Sequence, residues 1–309
     1  MLLFGGSNID YIGTSDEKLI DGVSNIGSVS ISFGGVMRNI AENLARLGNH
    51  IDFVTAIGKD SLGIKLKEAL LSLGIHIHSP ESDLMTGSYL AINDSNHDMA
   101  LALCDNRIIE TINPDYIKSL DALIKGHEYL SLDANLSKEA IDFLFKNYPQ
   151  KKFIVEAISP EKVVKFKDHL SKIYLIKANS HEAEALTGKS LSPITMTEEL
   201  LKKGVKNVVL SSGGDDIHIG YDQNIIEPVQ VKRETEFVNT TGCGDALTSG
   251  IIDHFLRGYS LRESVEFGQL LSKLTLMSPH ATTEEVKNIG MTDVMPISFD
   301  GNSSVYFNV

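Results

Sequence analysis

The run "IDFVTAIG" (51–58), followed almost at once by "SLGIKLKEALLSLG" (61–74), decides the fold class. The first segment is short, apolar and closed by glycine, which reads as a buried strand. In the second, Leu62, Leu66, Leu70 and Leu73 return on one face of a 3.6-residue period, the pattern of an amphipathic helix. The same alternation recurs on both sides of this unit. "LLFGG" (2–6), "YLSLD" (129–133), "KFIVEA" (152–157), "IYLIKAN" (173–179) and "NVVLSS" (207–212) read as strands, with helical segments between them. Strands that alternate with helices pair in parallel, because a parallel return needs a long crossover. The expected class is therefore α/β, a doubly wound and mainly parallel sheet with helices on both faces.

Two stretches break the rhythm. Residues 11–33 are polar and run into "GSVSISFGG" (27–35), and residues 86–104, "TGSYLAINDSNHDMALALC", read as a β-hairpin. Both alternate at period two, which fits a small second sheet serving as a lid, or edge strands of the main sheet. The expected organisation is one domain over 1–309 with lid segments at about 11–33 and 86–104. The segment from about 281 onward is polar and weakly patterned, and no chemistry is assigned to it.

Composition narrows the function. The chain has 309 residues, 42% hydrophobic and 22% charged, with a formal net charge of −13. That balance argues against a nucleic-acid partner, which needs a basic face. It leaves room for an anionic ligand, since backbone N–H groups can bind phosphate inside an acidic protein. Cys104 and Cys243 form neither a disulfide framework nor a zinc spacing. With no leader pattern in "MLLFGGSNIDYIG" (1–13) and no apolar run of membrane length, the expected location is the cytoplasm.

In open α/β sheets ligands bind beyond the C-terminal ends of the strands, so unusual residues there are the candidates. Asn8 and Asp10 are two apart in an extended segment and can converge on sugar hydroxyls, with an Asx turn as the plain alternative. Gly34 and Gly35 precede a helix whose stripe is Val36, Ile40, Leu44 and Leu47, and they leave backbone open to a ligand near Asn39. Asn179 and Glu182, in "KANSHEAEALTG" (177–188), suit either a hydrated Mg²⁺ or a helix cap. Ser211 and Gly213 lie in a strand–turn–strand segment, by itself a hairpin, that would border a nucleotide. In "NTTGCGDALTSG" (239–250), Gly242, Cys243 and Gly244 can present N–H groups to an anion at a helix start. Asp245 then stands ready to take a proton, with a pKa expected to be held low by the helix end.

Other chemistries lack their residues. There is no G-x-x-x-x-G-K-[ST] loop and no G-x-S-x-G elbow, and Leu247 occupies the last position of a would-be dinucleotide fingerprint. His76 and His78 have no third ligand spaced for a metal.

The order and spacing of these motifs resemble the ribokinase-like (PfkB) carbohydrate kinase family over about residues 2 to 280. "GGVMRNIAENLARLG" (34–48) resembles its first signature, "NTTGCGDALTSG" its second, "NSHE" (179–182) its N-x-x-E motif and "LSSGG" (210–214) its adenine-side segment. The resemblance implies a ribokinase-like fold with a small β lid and an ATP- and Mg²⁺-dependent phosphotransferase. It implies Asp245 as base, Gly242 to Gly244 as anion hole, and Asn179 and Glu182 arranging Mg²⁺ and its waters. Asn8, Asp10, Gly34, Gly35 and Asn39 would hold the ribose, Asp133 would reach toward it, and Ser211 and Gly213 would lie near the nucleotide. The first signature is most similar to the branch acting on pseudouridine, so the expected reaction is transfer to its O5′. Another nucleoside or a free sugar such as ribose or fructose is the alternative, and a non-catalytic sugar- or nucleoside-binding protein is the alternative from another class. The expected partners are a small-molecule nucleoside or sugar and ATP, with no nucleic acid and no membrane. Members often dimerise through their lids, which adds a homodimer to the expectations. Three positions depart from the pattern: Asn239 for Asp, Met37 for Gly and Asp216 for Gly. The first does not carry the family's monovalent-cation site over to this chain.

Overall fold

In the computed structural model, which describes residues 1–290, thirteen strands form two sheets. In chain order the strands are β1 (Leu2–Phe4), β2 (Asn8–Ser15), β3 (Gly27–Gly34), β4 (Asp52–Val54), β5 (His76–His78), β6 (Gly87–Asn93) and β7 (Met99–Asp105). There follow β8 (Tyr129–Asp133), β9 (Lys152–Glu156), β10 (Ile173–Asn179), β11 (Asn207–Ser212), β12 (Asp215–Tyr221) and β13 (Ile225–Val229). The larger sheet has the order β13-β12-β11-β10-β9-β8-β1-β4-β5. It is parallel from β11 to β5, with β12 and β13 added antiparallel at one edge. The chain moves outward from β1 to β4 and β5, then returns to β8 on the other side of β1. The β1/β8 boundary is therefore the point where strand order reverses, the place where such sheets open a crevice.

The helices are α1 (Val36–Arg46), α2 (Ser61–Ser72), α3 (Pro114–Ser119), α4 (Asp121–Gly126), α5 (Lys138–Asn147) and α6 (Pro160–Val163), then α7 (Ser180–Thr187), α8 (Pro193–Lys202), α9 (Cys243–Leu256), α10 (Leu261–Leu276) and α11 (Val286–Gly290). Helices α3 to α8 cover one face, where Leu2, Phe4, Leu132, Phe153 and Val155 meet Ile141, Phe145 and Phe166. Helices α1, α2 and α9 cover the other, where Leu3, Ile154 and Val209 meet Ile40, Leu44, Leu66 and Ile251. Each fully buried Leu, Ile or Phe contributes roughly 1.5–3 kcal/mol of transfer free energy, so the two cores dominate stability.

Helix α1 starts after Gly35, at φ 104°, where an added Cβ would lie 2.5 Å from the Gly6 carbonyl oxygen. It stops at Gly48, whose φ of 87° suits a helix C-terminus. Helix α9 is seated by close approach to α10: a Cβ on Gly250 would lie 2.6 Å from Gly268 Cα.

The period-two stretches form a separate four-stranded sheet, ordered β3-β2-β6-β7, and are not edges of the main one. Asn8 and Asp10 lie in the extended segment expected of them, strand β2, which belongs to the small sheet. The strand read at 51–58 shortens to Asp52–Val54. No helix among the described residues is long and apolar enough to cross a membrane.

Candidate active site

Strand alternation builds the floor of the site. In β8, Leu130 and Leu132 face the α3–α8 side, so Asp133 turns to the side covered by α1 and α9. The parallel register then aligns Asp133 with Glu156 of β9, and Glu156 with Lys177 of β10. Three charged residues thus stand side by side at the C-terminal strand ends, 0%, 3% and 8% exposed. Lys177 Nζ donates to Glu156 Oε1 at 3.1 Å, and Thr248 Oγ1 of α9 donates to Glu156 Oε2 at 2.7 Å. Burial opposes the charge on Lys177, but Glu156, Glu182 and Asp245 together raise its pKa. Glu156, Lys177 and Thr248 were missed in the sequence. The available signal was a charged residue near the end of an otherwise apolar strand, as in "KFIVE" and "IYLIK".

Above this row α9 begins. Gly242 adopts φ 83°, no side chain caps the helix, and an added Cβ at Gly242 would lie 2.1 Å from the Ala281 carbonyl oxygen. The Cys243 N–H is turned back to Thr240 O at 3.3 Å, which leaves the N–H groups of Gly244 and Asp245 without a partner among the described residues. Lys177 Nζ lies beside Gly244, 3.3 Å from where a Cβ would stand. A helix N-terminus with unpaired N–H groups and a neighbouring ammonium is electrostatically suited to an anion.

Asp245 reaches toward this opening, and Asn39 Nδ2 donates to its Oδ2 at 2.7 Å. Its pKa is raised to about 7 by burial, against the hydrogen bond from Asn39, with Glu156 and Asp133 adding to the rise and Lys177 opposing it. The expectation that the helix end would hold it low is overturned. Desolvation and two nearby carboxylates outweigh a partial charge at a helix start.

On the small sheet, Asn8 donates to Asp10 Oδ1, so the pair does share one side of β2. Burial raises Asp10 to about 6, against the Asn8 bond and the Arg38 charge. The space beside Gly34 is filled by the Asp10 carboxylate, 2.2 Å from a Cβ position, and that beside Gly35 by the Gly6 backbone. These glycines serve the protein's own packing as well as any approach by a ligand. Asp133 accepts from the Gly6 N–H at 3.0 Å and the Asn135 N–H at 2.8 Å, which fastens the loops around the β1/β8 crevice.

Asn179 and Glu182 form a reciprocal capping box at the start of α7. Glu182 Oε2 accepts from the Asn179 N–H at 2.7 Å and Oε1 from Asn179 Nδ2 at 2.8 Å. The cap read in the sequence is therefore present, and the carboxylate, 3% exposed, has its pKa raised by burial. Ser211 is aligned with Asn179 across β10 and β11, and Gly213 turns at φ 58° into open space. The β11–β12 segment is a hairpin on the sheet edge. At the departures from the family pattern, Asn239 Oδ1 accepts from the Thr241 N–H at 3.0 Å, Met37 is fully buried, and Asp216 Oδ1 accepts from the Val231 N–H at 3.1 Å. Both cysteines are free thiols. His78 Nε2 and His127 Nε2 lie 2.7 and 3.2 Å from the Asp52 carboxylate, and no group of three or more His, Cys, Asp or Glu among the described residues could hold a metal.

A model of the pfkB family of carbohydrate kinases matches residues 1–288. The chain belongs to that family. It is 31% identical over 300 residues to a pseudouridine kinase from Escherichia coli, covering 93% of each chain. A carbohydrate kinase from Agrobacterium tumefaciens superposes with a TM-score of 0.80 at 28% identity, over 93% of this chain and 95% of that one. A ribokinase from Thermotoga maritima gives a TM-score of 0.83 at 21% identity, over 94% of this chain and 98% of that one, and so speaks for the fold. This pfkB kinase is accordingly a phosphotransferase acting on a sugar or nucleoside, with a ribokinase-like α/β fold.

The Gly242 turn gives a test. Gly242→Ala forces an L-residue into the left-handed region, at roughly 1–2 kcal/mol, and drives a methyl into the 281 backbone. Gly213→Ala carries only the conformational part. Thermal unfolding is expected to show the larger loss for Gly242→Ala; equal losses would mean that the 281 segment yields freely.

Proposed function

We propose that this chain transfers the γ-phosphoryl group of ATP to the 5′-hydroxyl of a nucleoside, pseudouridine in the first place. The observation that carries this reading is Asp245, held by Asn39 next to N–H groups at the start of α9 that have no partner among the described residues. The similarity to a pseudouridine kinase supports the choice of substrate. Asp245, ionised, accepts the proton of O5′ as that oxygen attacks the γ-phosphorus, and the bond to the bridging oxygen breaks with its electrons leaving on ADP. The Gly242–Gly244 turn, the N–H of Asp245 and Lys177 stabilise the charge on the moving phosphoryl group, in a reaction that depends mainly on positioning and electrostatics. Asn8, Asp10 and Asn39 orient the ribose, with Gly34 and Gly35 bringing backbone close to it. Asp133 braces the loop beneath it. Ser211 and Gly213 border the nucleotide, beyond the strand ends they terminate.

The oxygen donors of Asn179 and Glu182 fit a magnesium ion held mainly through water, because Mg²⁺ takes few protein ligands and keeps its hydration. The carboxylates of Glu156, Glu182 and Asp245 all act on one lysine, an excess of negative charge that favours a cation. Bound there, Mg²⁺ would neutralise phosphate charge.

The small sheet acts as a lid and joins two copies of the chain. On one side of it Ile9 is buried against the core, while farther out Val29, Ile31, Leu101 and Leu103 are 73%, 54%, 56% and 62% exposed. An apolar stripe that continues from the core into solvent across β3 and β7 fits a second copy, which would present the same surface.

Four measurements test this reading. Offered ATP, Mg²⁺ and a panel of pseudouridine, uridine, other nucleosides, ribose and fructose, the enzyme is expected to release ADP fastest with pseudouridine; a preference for a free sugar would overturn the substrate. Asp245→Asn is expected to abolish turnover with substrate binding nearly intact, and near-normal kcat would remove Asp245 as the base. In the free enzyme a carboxyl with a pKa of about 7 is ionised only above that pH, so kcat/KM should rise with pH through a limb near 7 and then level off. In sedimentation the wild type is expected to be a dimer and Ile31→Asp with Leu103→Asp a monomer; a monomeric wild type would refute the lid interface.

A further inference from the structure

Arg38 is an unusual residue to find inside a helix–sheet interface. It is 6% exposed, and burial, helped by the charge of Arg46, lowers the pKa of its guanidinium against the favourable charges of Glu42 and Asp10. A buried ion pair rarely adds much net stability, so a reason beyond stability is worth seeking. Its contacts supply one. Arg38 Nη1 donates to Asn39 Oδ1 at 2.7 Å and to the Phe33 carbonyl at 3.1 Å, while Nη2 donates to Glu42 Oε2.

We propose that Arg38 is a positioning residue for Asp245, acting through the side-chain amide of Asn39. This rests on the reading of Asp245 as the base. An amide can present either its oxygen or its NH₂ to a neighbour, but a guanidinium only donates and an ionised carboxylate only accepts. With Arg38 on the amide oxygen and Asp245 on the amide nitrogen, one orientation alone satisfies both. That orientation favours ionised Asp245, because the N–H of Nδ2 binds a carboxylate more strongly than the carbonyl oxygen of a protonated carboxyl. It opposes the burial and the carboxylates of Glu156 and Asp133, alongside Lys177, the other group that favours the charge.

Glu42 extends the arrangement. Its Oε1 accepts from Arg46 Nη2 at 2.6 Å and from Thr282 Oγ1 at 2.8 Å. Thr282 follows Ala281, whose carbonyl packs against Gly242. The group that orients the base is thus bonded, through one carboxylate, to the segment that walls the proposed anion site.

The test is a double-mutant cycle on kcat/KM and on its acid limb. Arg38→Met keeps an unbranched apolar stem and removes the donors. Its expected effect is a loss of about fivefold in kcat/KM at pH 7, with the acid limb moved up by about one pH unit, activity largely recovered in alkali, and KM for ATP little changed. In an Asn39→Ala background the same substitution should change kcat/KM by less than about twofold, because the residue it acts through is gone. Arg38→Lys should restore part of the loss. An equal, pH-independent loss in both backgrounds, or no loss in either, would overturn the proposal. Should Arg38→Met fail to fold, Arg38→Lys carries the same cycle. Turnover retained by Asp245→Asn would fault the base itself; an inactive Asp245→Asn with an additive cycle would fault only Arg38.

Discussion

The 2.7 Å hydrogen bond from the Asn39 amide to the Asp245 carboxylate joins α1 and α9 across a sequence separation of 206 residues. The rest of the site is arranged around it. Asp245 can occupy the start of α9 only if that helix is seated against α10 and α1. Asn39 can meet it only if α1 begins where the Gly34–Gly35 turn leaves room for Asp10 and the Gly6 backbone. The contact is therefore a product of both helix positions, and small shifts in either would break it.

Electrostatic crowding is the companion constraint. Parallel register brings Asp133, Glu156 and Lys177 to adjacent strand ends, and α9 adds Asp245 above them. Burial chiefly, with Glu156 and Asp133 only partly balanced by one lysine, raises the pKa of Asp245 to about 7. A carboxylate that titrates near neutrality is a stronger acceptor for a hydroxyl proton than an ordinary aspartate. Asn179 and Glu182 cap α7 beside the same buried charges.

Much of this was legible from local pattern. Period-two and period-3.6 apolarity marked the strands and helices, since burial of one face is a local property of spacing. The glycine turns, the cap at Asn179 and the candidate Asp245 stood out because each is a short-range feature. Glu156, Lys177 and Thr248 did not stand out, because a charge inside a strand acquires meaning only from the neighbours that pairing gives it. The pKa of Asp245 was misjudged for the same reason. A helix end is visible in one segment, whereas burial and the carboxylates of β8 and β9 come from elsewhere in the chain.

The sequence by itself determined the α/β class, the separate period-two segments and the family to which the chain belongs, because these depend on spacing and on short motifs. Tertiary structure alone decided that β2 carries Asn8 and Asp10 on the small sheet, that Asn39 bonds Asp245, and that Arg38 sets the orientation of that amide. The pairing of β2 and the bond from Asn39 to Asp245 join segments far apart in the chain, whereas Arg38 meets the amide of its sequence neighbour on the buried side of α1. The energy of each contact depends on distance, register and desolvation, which exist only once the strands have paired and the helices have packed.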